Sequence, residues 1–220
     1  MNDTKINIFI KEIGYIKKER YRDNIKKLIS YLPDYFFEIP ASSTGKYHPH
    51  YALGEGGLVR HTKVAVRIAY ELLNDESIGY QFKDEEKDMI IMSLILHDGL
   101  KCGNPKEKYT RFDHPLLVCD MIESHKEDLT LTENEIKAMT NMISSHMGPW
   151  NVDFRGNEVL PVPSNKYQRF VHMCDFLASK KFLEVPFDKN EIISRHEQMF
   201  LYIMMLEGRC WYDKMGSTIL

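Results

Sequence analysis

The sequence predicts an all-α protein folded as a single globular helical bundle. Three observations lead there. Apolar residues recur at three- and four-residue spacing along most of the chain, and no alternation of apolar and polar residues is long enough to build a sheet. No Pro/Gly/Ser-rich linker or charge block divides the 220 residues. With 43% apolar and 28% charged side chains, the composition suffices for a full core.

The elements follow in order. A first amphipathic stretch reaches about Tyr15. The segment Arg20 to Leu32 then places Ile25, Leu28, Ile29 and Leu32 on one face and stops before Pro33. The passage from Phe36 to Gly57, FFEIPASSTGKYHPHYALGEGG, is irregular, and a loop of that length in a compact domain usually borders a site. Leu58 to Leu73 is the next helix, and Asp84, Glu85 and Glu86 open another that runs through Met89, Ile91 and Ile95 to His97. Gly99 ends it.

A helix begins near His114 and Pro115, the proline suiting a first turn. Thr132 with Glu135 reads as a capping box for Glu133 to Ser145, broken by Gly148 and Pro149. Ser164 is the expected start of a helix carrying Phe170, Val171, Cys174 and Leu177. Asp188 with Glu191 introduces a final helix to about Glu207, whose Met and aromatic stripe, Met199 to Leu206, reads as core. The expected helices run from about 11 to 19 residues without a repeat of fixed period. The lysine-rich KKER and IKK stretches near the N-terminus read as solvated faces.

Several function classes are disfavoured at this level. Lys plus Arg number 29 and Asp plus Glu 32, a formal charge of −3, so no basic balance draws the chain onto long nucleic acid or anionic lipid. The longest nearly continuous apolar run, Met89 to Leu96, falls far short of the roughly 20 residues that span a bilayer. The N-terminal MNDTKINIFIKEIG lacks a secretory pattern, and a cytoplasmic location is expected. Cys102, Cys119, Cys174 and Cys210 form no CxxC pair and read as free, mostly buried thiols. No GxSxG, P-loop or GxGxxG occurs, which removes the main support for serine hydrolase, ATPase and Rossmann readings.

Histidine is the unusual component, at nine residues. Four of them stand at or near predicted helix ends: His61, His97, His114 and His146. Asp98 follows His97 directly, and Asp175 sits among apolar neighbours within a helix. His97 and Asp98 terminate the run MIIMSLIL, so both emerge from the core, and a buried carboxylate needs a compensating charge. Imidazole nitrogens with carboxylate oxygens suit Zn, Fe, Mn, Co, Ni or Mg, and a carboxylate can bridge two ions.

The series His61, His97 with Asp98, His114, His146 and Asp175 resembles the H…HD…H…H…D signature of the HD-domain metal-dependent phosphohydrolase superfamily. GGLVRHT, LILHDGLK, FDHPLL, ISSHMGPW and HMCDFLASK each resemble a segment of that pattern, which covers about residues 36 to 185. The loop PASSTGKYHPHYALGEGGL is similar to the one before the first histidine in the HD domains of bacterial 3′-to-5′ exoribonucleases. Two features depart from the family: HDGLK replaces the customary HDIGK, and Met147 stands where exoribonuclease-like members often have a second histidine.

The resemblance implies one HD-type domain over residues 1–220, with N-terminal helices to residue 35, a motif-bearing core to 185 and a C-terminal helix and tail. It implies that His61, His97, Asp98 and Asp175 hold one divalent ion, while His114 and His146 add ligands for a second, with Asp98 bridging. The implied activity is hydrolysis of a phosphoric ester in a small nucleotide or short oligonucleotide by a metal-bridged hydroxide, with Asp98 and Lys101 as catalytic residues. Lys101, Tyr109, Arg111 and His50 are candidate substrate contacts, with His48 beside them in the loop. Trp150 reads as lid or core packing, or as a stacking surface for a base. The same ligands also occur in di-iron oxygenases of this fold, and a catalytically silent nucleotide-binding regulatory module is a further alternative.

Overall fold

In the computed structural model the described residues are 3–42, 44–45, 48–183 and 185, and they lie within one compact unit, Met1–Pro186. The expected final helix and its Met stripe, residues 188–207, fall outside them, as does Cys210. Among the described residues the fold is all-α, with one isolated bridge between Val152 and Glu158 and no strand. The helices are α1 (Asp3–Ile8), α2 (Ile10–Ile13), α3 (Glu19–Tyr31), α4 (Gly57–Asn74), α5 (Glu76–Gly79), α6 (Asp84–Leu96), α7 (His114–Ser124), α8 (Glu133–Ser144) and α9 (Lys166–Ala178).

The centre of the bundle is α6. From Asp88 to Leu96 every side chain is buried, so this helix is apolar around its circumference and needs neighbours on all sides. It packs against α3, α4, α8 and α9, while α4 also packs along α9 and α7 along α8. The one hydroxyl it carries is satisfied locally: Ser93 Oγ donates to the Met89 carbonyl at 2.8 Å.

Polar devices fix the registry of these helices. Asp88, buried on α6, accepts the backbone N–H groups of Lys17 and Lys18 at 2.8 and 2.9 Å and so caps the start of α3 across the core. Lys63 of α4 meets the fully buried Glu12 of α2 at 3.1 Å. Glu135 closes the predicted capping box with Thr132 and also accepts from Arg20 and Tyr21, which ties α8 to α3. Against the effect of burial, those donors hold its carboxyl at about 2.

Several local expectations are corrected. The cap of α9 is Asn165, whose side chain accepts from the Tyr167 and Gln168 N–H groups, whereas Ser164 N–H and Oγ both bond Gln168 Oε1. Lys17 and Lys18, although exposed, are paired with Asp84 and Glu85 across to α6. The helices are also more varied than 11 to 19 residues: the N-terminal stretch divides into α1 and α2, and the single-turn α5 follows Asp75, which caps it. Short 3₁₀ turns, Asp34–Phe37 and His50–Ala52, lie at and within the irregular passage.

Candidate metal centre

The six residues singled out by type and spacing converge on one place. His97 is the C-cap of α6 and Asp98 follows it. His114 is the first residue of α7, and His146 lies two residues past the end of α8. His61 lies on α4 and Asp175 on α9, the pair of helices that pack side by side. His61, His97, Asp98, His114 and His146 are all buried, at most 2% exposed.

Asp98 sits between two halves of this cluster. Its Oδ2 lies 3.5 Å from His97 Nε2 and 3.8 Å from His61 Nε2. Its Oδ1 lies 2.9 Å from His114 Nε2 and 3.7 Å from His146 Nε2. Asp175 Oδ1 completes the first half, 2.9 Å from His61 Nε2 and 3.5 Å from His97 Nε2. In the second half, His114 and His146 bring their Nε2 atoms within 3.3 Å of each other. Donor atoms of His61, His97 and Asp175, and separately of His97, Asp98 and His146, lie within 4.8 Å of one another.

The backbone sets the tautomers. His97 Nδ1 is 2.7 Å from the Leu94 carbonyl, His114 Nδ1 2.7 Å from that of Arg111, and His146 Nδ1 2.8 Å from that of Ile143. A carbonyl only accepts, so each Nδ1 carries a hydrogen, and Nε2, on the side facing Asp98, is the nitrogen each ring can offer as a ligand. Leu94 and Ile143 lie in the last turns of α6 and α8, where carbonyls lack helical partners. The bonds that finish these two helices therefore also aim the imidazoles.

This donor set fits a metal ion. His97 Nε2 and Asp98 Oδ1 are buried without a hydrogen-bond partner, which is costly for polar atoms in a core unless another group completes them. Despite burial, Lys101 and His97 keep the Asp98 carboxyl well below the usual range, as His61 and His97 do for Asp175, so both remain anionic. Burial, reinforced by His97, pushes His146 down to about 3, leaving it neutral and able to ligate. For His97, burial is outweighed by Asp98 and Asp175, and its pKa rises. These buried His and Asp groups could hold a metal ion.

Around the cluster the expected substrate contacts separate. Lys101 Nζ reaches Asp98 Oδ2 at 2.5 Å and is largely buried. Arg111 is engaged by its own loop: Nε and Nη2 meet Asp113 at 2.8 and 2.6 Å, and Nη1 meets Glu107 at 2.6 Å. Tyr109 is 64% exposed with Lys108 over its ring. Of the two loop histidines, His50 is exposed, while His48 stands edge-on to His61 with ring centroids 5.0 Å apart. Spacing alone does not separate the two, because an irregular loop has no period. Trp150 is 53% exposed and stacks on Phe176.

Sequence reasoning did not single out His172, and it read Gly99 only as a helix terminator within HDGLK. His172 Nδ1 donates to the His146 carbonyl at 2.7 Å and so holds the segment that presents a cluster histidine. Glycine at position 99 has a steric reason: a Cβ there would meet Leu32 Cδ2 at 2.5 Å and the Leu96 carbonyl at 3.0 Å. The glycine stands where α3 ends against the turn after Asp98. No helix among the described residues is long and apolar enough to cross a membrane. No protein-family model, curated protein or solved structure matches this chain.

Proposed function

We propose that this chain is a metal-dependent phosphohydrolase of the HD-domain type, acting on a small nucleotide or short oligonucleotide. The observation that carries the reading is the division of Asp98 between two sets of histidine nitrogens, Oδ2 toward His61 and His97 and Oδ1 toward His114 and His146. Such a carboxylate is suited to bridge a pair of ions, with Asp175 closing the first set. Divalent ions held there would polarise a phosphoryl oxygen and lower the pKa of a water.

The chain's own residues do the rest. The three carbonyl-anchored imidazoles keep their Nε2 atoms in position without reorganisation, which favours a preorganised site. Lys101 is the cation nearest Asp98, and a phosphate oxygen drawn to the centre competes for its ammonium. As charge builds on the phosphoryl group, that ammonium stabilises it. Burial of the cluster excludes bulk water and strengthens each of these interactions.

The test is release of p-nitrophenol from bis-p-nitrophenyl phosphate in Mn²⁺. Turnover is expected in the wild type, absent in Asp98→Ala, and lowered at least 100-fold in Lys101→Met with manganese content retained. No hydrolysis of any phosphate ester with Mn²⁺ or Fe²⁺, or oxygen uptake in its place, overturns the proposal.

A further inference from the structure

His48 belongs to the passage before α4 and has no part in the six-residue set. Its Nδ1 is buried and has no hydrogen-bond partner. The ring stands nearly perpendicular to that of His61, with 80° between the planes. It is close enough to Lys101, Asp98 and Asp175 to feel their charges. Yet the Nε2 atoms of His61, His97, His114 and His146 lie 2.9–3.8 Å from Asp98 and His48 makes no such approach, which sets it apart from the ligating histidines. A buried ring nitrogen beside the centre, unpaired and outside the ligand set, is paired by whatever binds the centre.

We propose that His48 is a substrate-binding residue of the centre, donating a ring N–H to a phosphoryl oxygen of the bound ester alongside Lys101. The inference rests on the phosphohydrolase reading and deepens it. The site holds two carboxylates, so a phosphate approaching it needs donors around its periphery, and the loop supplies one that the helices do not. Pro49 is buried next to His48, and the Ala52 N–H donates to the Pro49 carbonyl at 3.0 Å, so the loop is anchored where it carries the ring. A Cβ on Gly57 would lie 2.2 Å from the Ala52 carbonyl, so glycine at this position lets the loop settle onto the start of α4.

The experiment measures affinity for inorganic phosphate by calorimetry on the full-length, manganese-loaded protein, with manganese per chain determined in parallel. His48→Ala and His48→Phe should weaken phosphate binding roughly 10-fold or more, the loss of one hydrogen bond to a charged group, with manganese per chain unchanged. His48→Gln, which retains an N–H donor, should recover part of the loss. Phosphate affinity within twofold of wild type in both His48→Ala and His48→Phe overturns the proposal. So does loss of manganese in those variants, which would make His48 a ligand. Wild-type turnover of bis-p-nitrophenyl phosphate separates the two readings: if turnover persists while the His48 variants bind phosphate normally, only the role of His48 falls.

Discussion

Replacing Asp98 with asparagine tests the centre most directly, because shape is kept and one charge is removed. In the structure this carboxylate faces Lys101 at 2.5 Å, His114 at 2.9 Å, His97 at 3.5 Å, His146 at 3.7 Å and His61 at 3.8 Å. It is the group common to both halves, so its loss should weaken both. An ion present at 100 times its dissociation constant stabilises the folded state by about 2.7 kcal/mol. For a chain of this size that corresponds to a rise of roughly 5–10 °C in Tm. Thermal scans in EDTA and in Mn²⁺ should show this rise in the wild type and less than about 2 °C in Asp98→Asn. The EDTA baseline of the variant should itself drop by roughly 3 kcal/mol, since Lys101 loses its buried anion. An unchanged manganese-dependent shift, with the same manganese per chain, would refute the assignment of Asp98 to the centre.

Three further outcomes are expected. Glu135 titrates near 2 instead of its ordinary 4.5, so its contribution is complete above about pH 4.5 and disappears as the pH falls toward 2. Denaturant unfolding of Glu135→Gln should therefore show a loss of about 2–3 kcal/mol at pH 7 that shrinks steadily below pH 4.5, and a pH-independent difference would contradict the assignment. Gly99→Ala should destabilise by about 1–3 kcal/mol, because its Cβ meets a Leu32 side chain that is itself 1% exposed and has no room to move; Tm at matched metal content reads this out. Gly148→Ala puts a Cβ 2.2 Å from the His172 ring at a φ of +66°. It should release the His146 segment and cut metal-dependent turnover more than it lowers Tm in EDTA.

The sequence carried the long elements well, for physical reasons visible in particular residues. Thr132 and Glu135 announced α8 because a capping box is a local device, complete within four residues. The convergence of His61, His97, Asp98, His114, His146 and Asp175 was legible from the motif resemblance, supported by five of the six standing at or near helix ends, while Asp175 lies within α9. What escaped depends on contacts distant in sequence or on elements without a period. The single turn α5 is too short to show periodicity. The cap of α9 is an exception: Ser164 and Asn165 are both good caps side by side, and the capping box of Asn165 with Gln168 that chooses between them is as local as that of α8. His48 and His50 look equivalent in a loop, and only folding turns one toward His61. Arg111 was read as open to phosphate, although Glu107 and Asp113 were near enough in sequence to claim it.

The close fit of Leu32 against Gly99 has a partner one turn further along, where Tyr35 Oη donates to the Gly103 carbonyl at 2.7 Å and accepts from the Cys102 N–H at 3.2 Å. Leu32 and Tyr35 thus clamp the stretch of backbone that leaves Asp98 and carries Lys101. Trimming the chain to begin at the loop would not yield a smaller intact bundle, but a fragment whose central turn has lost its outer wall.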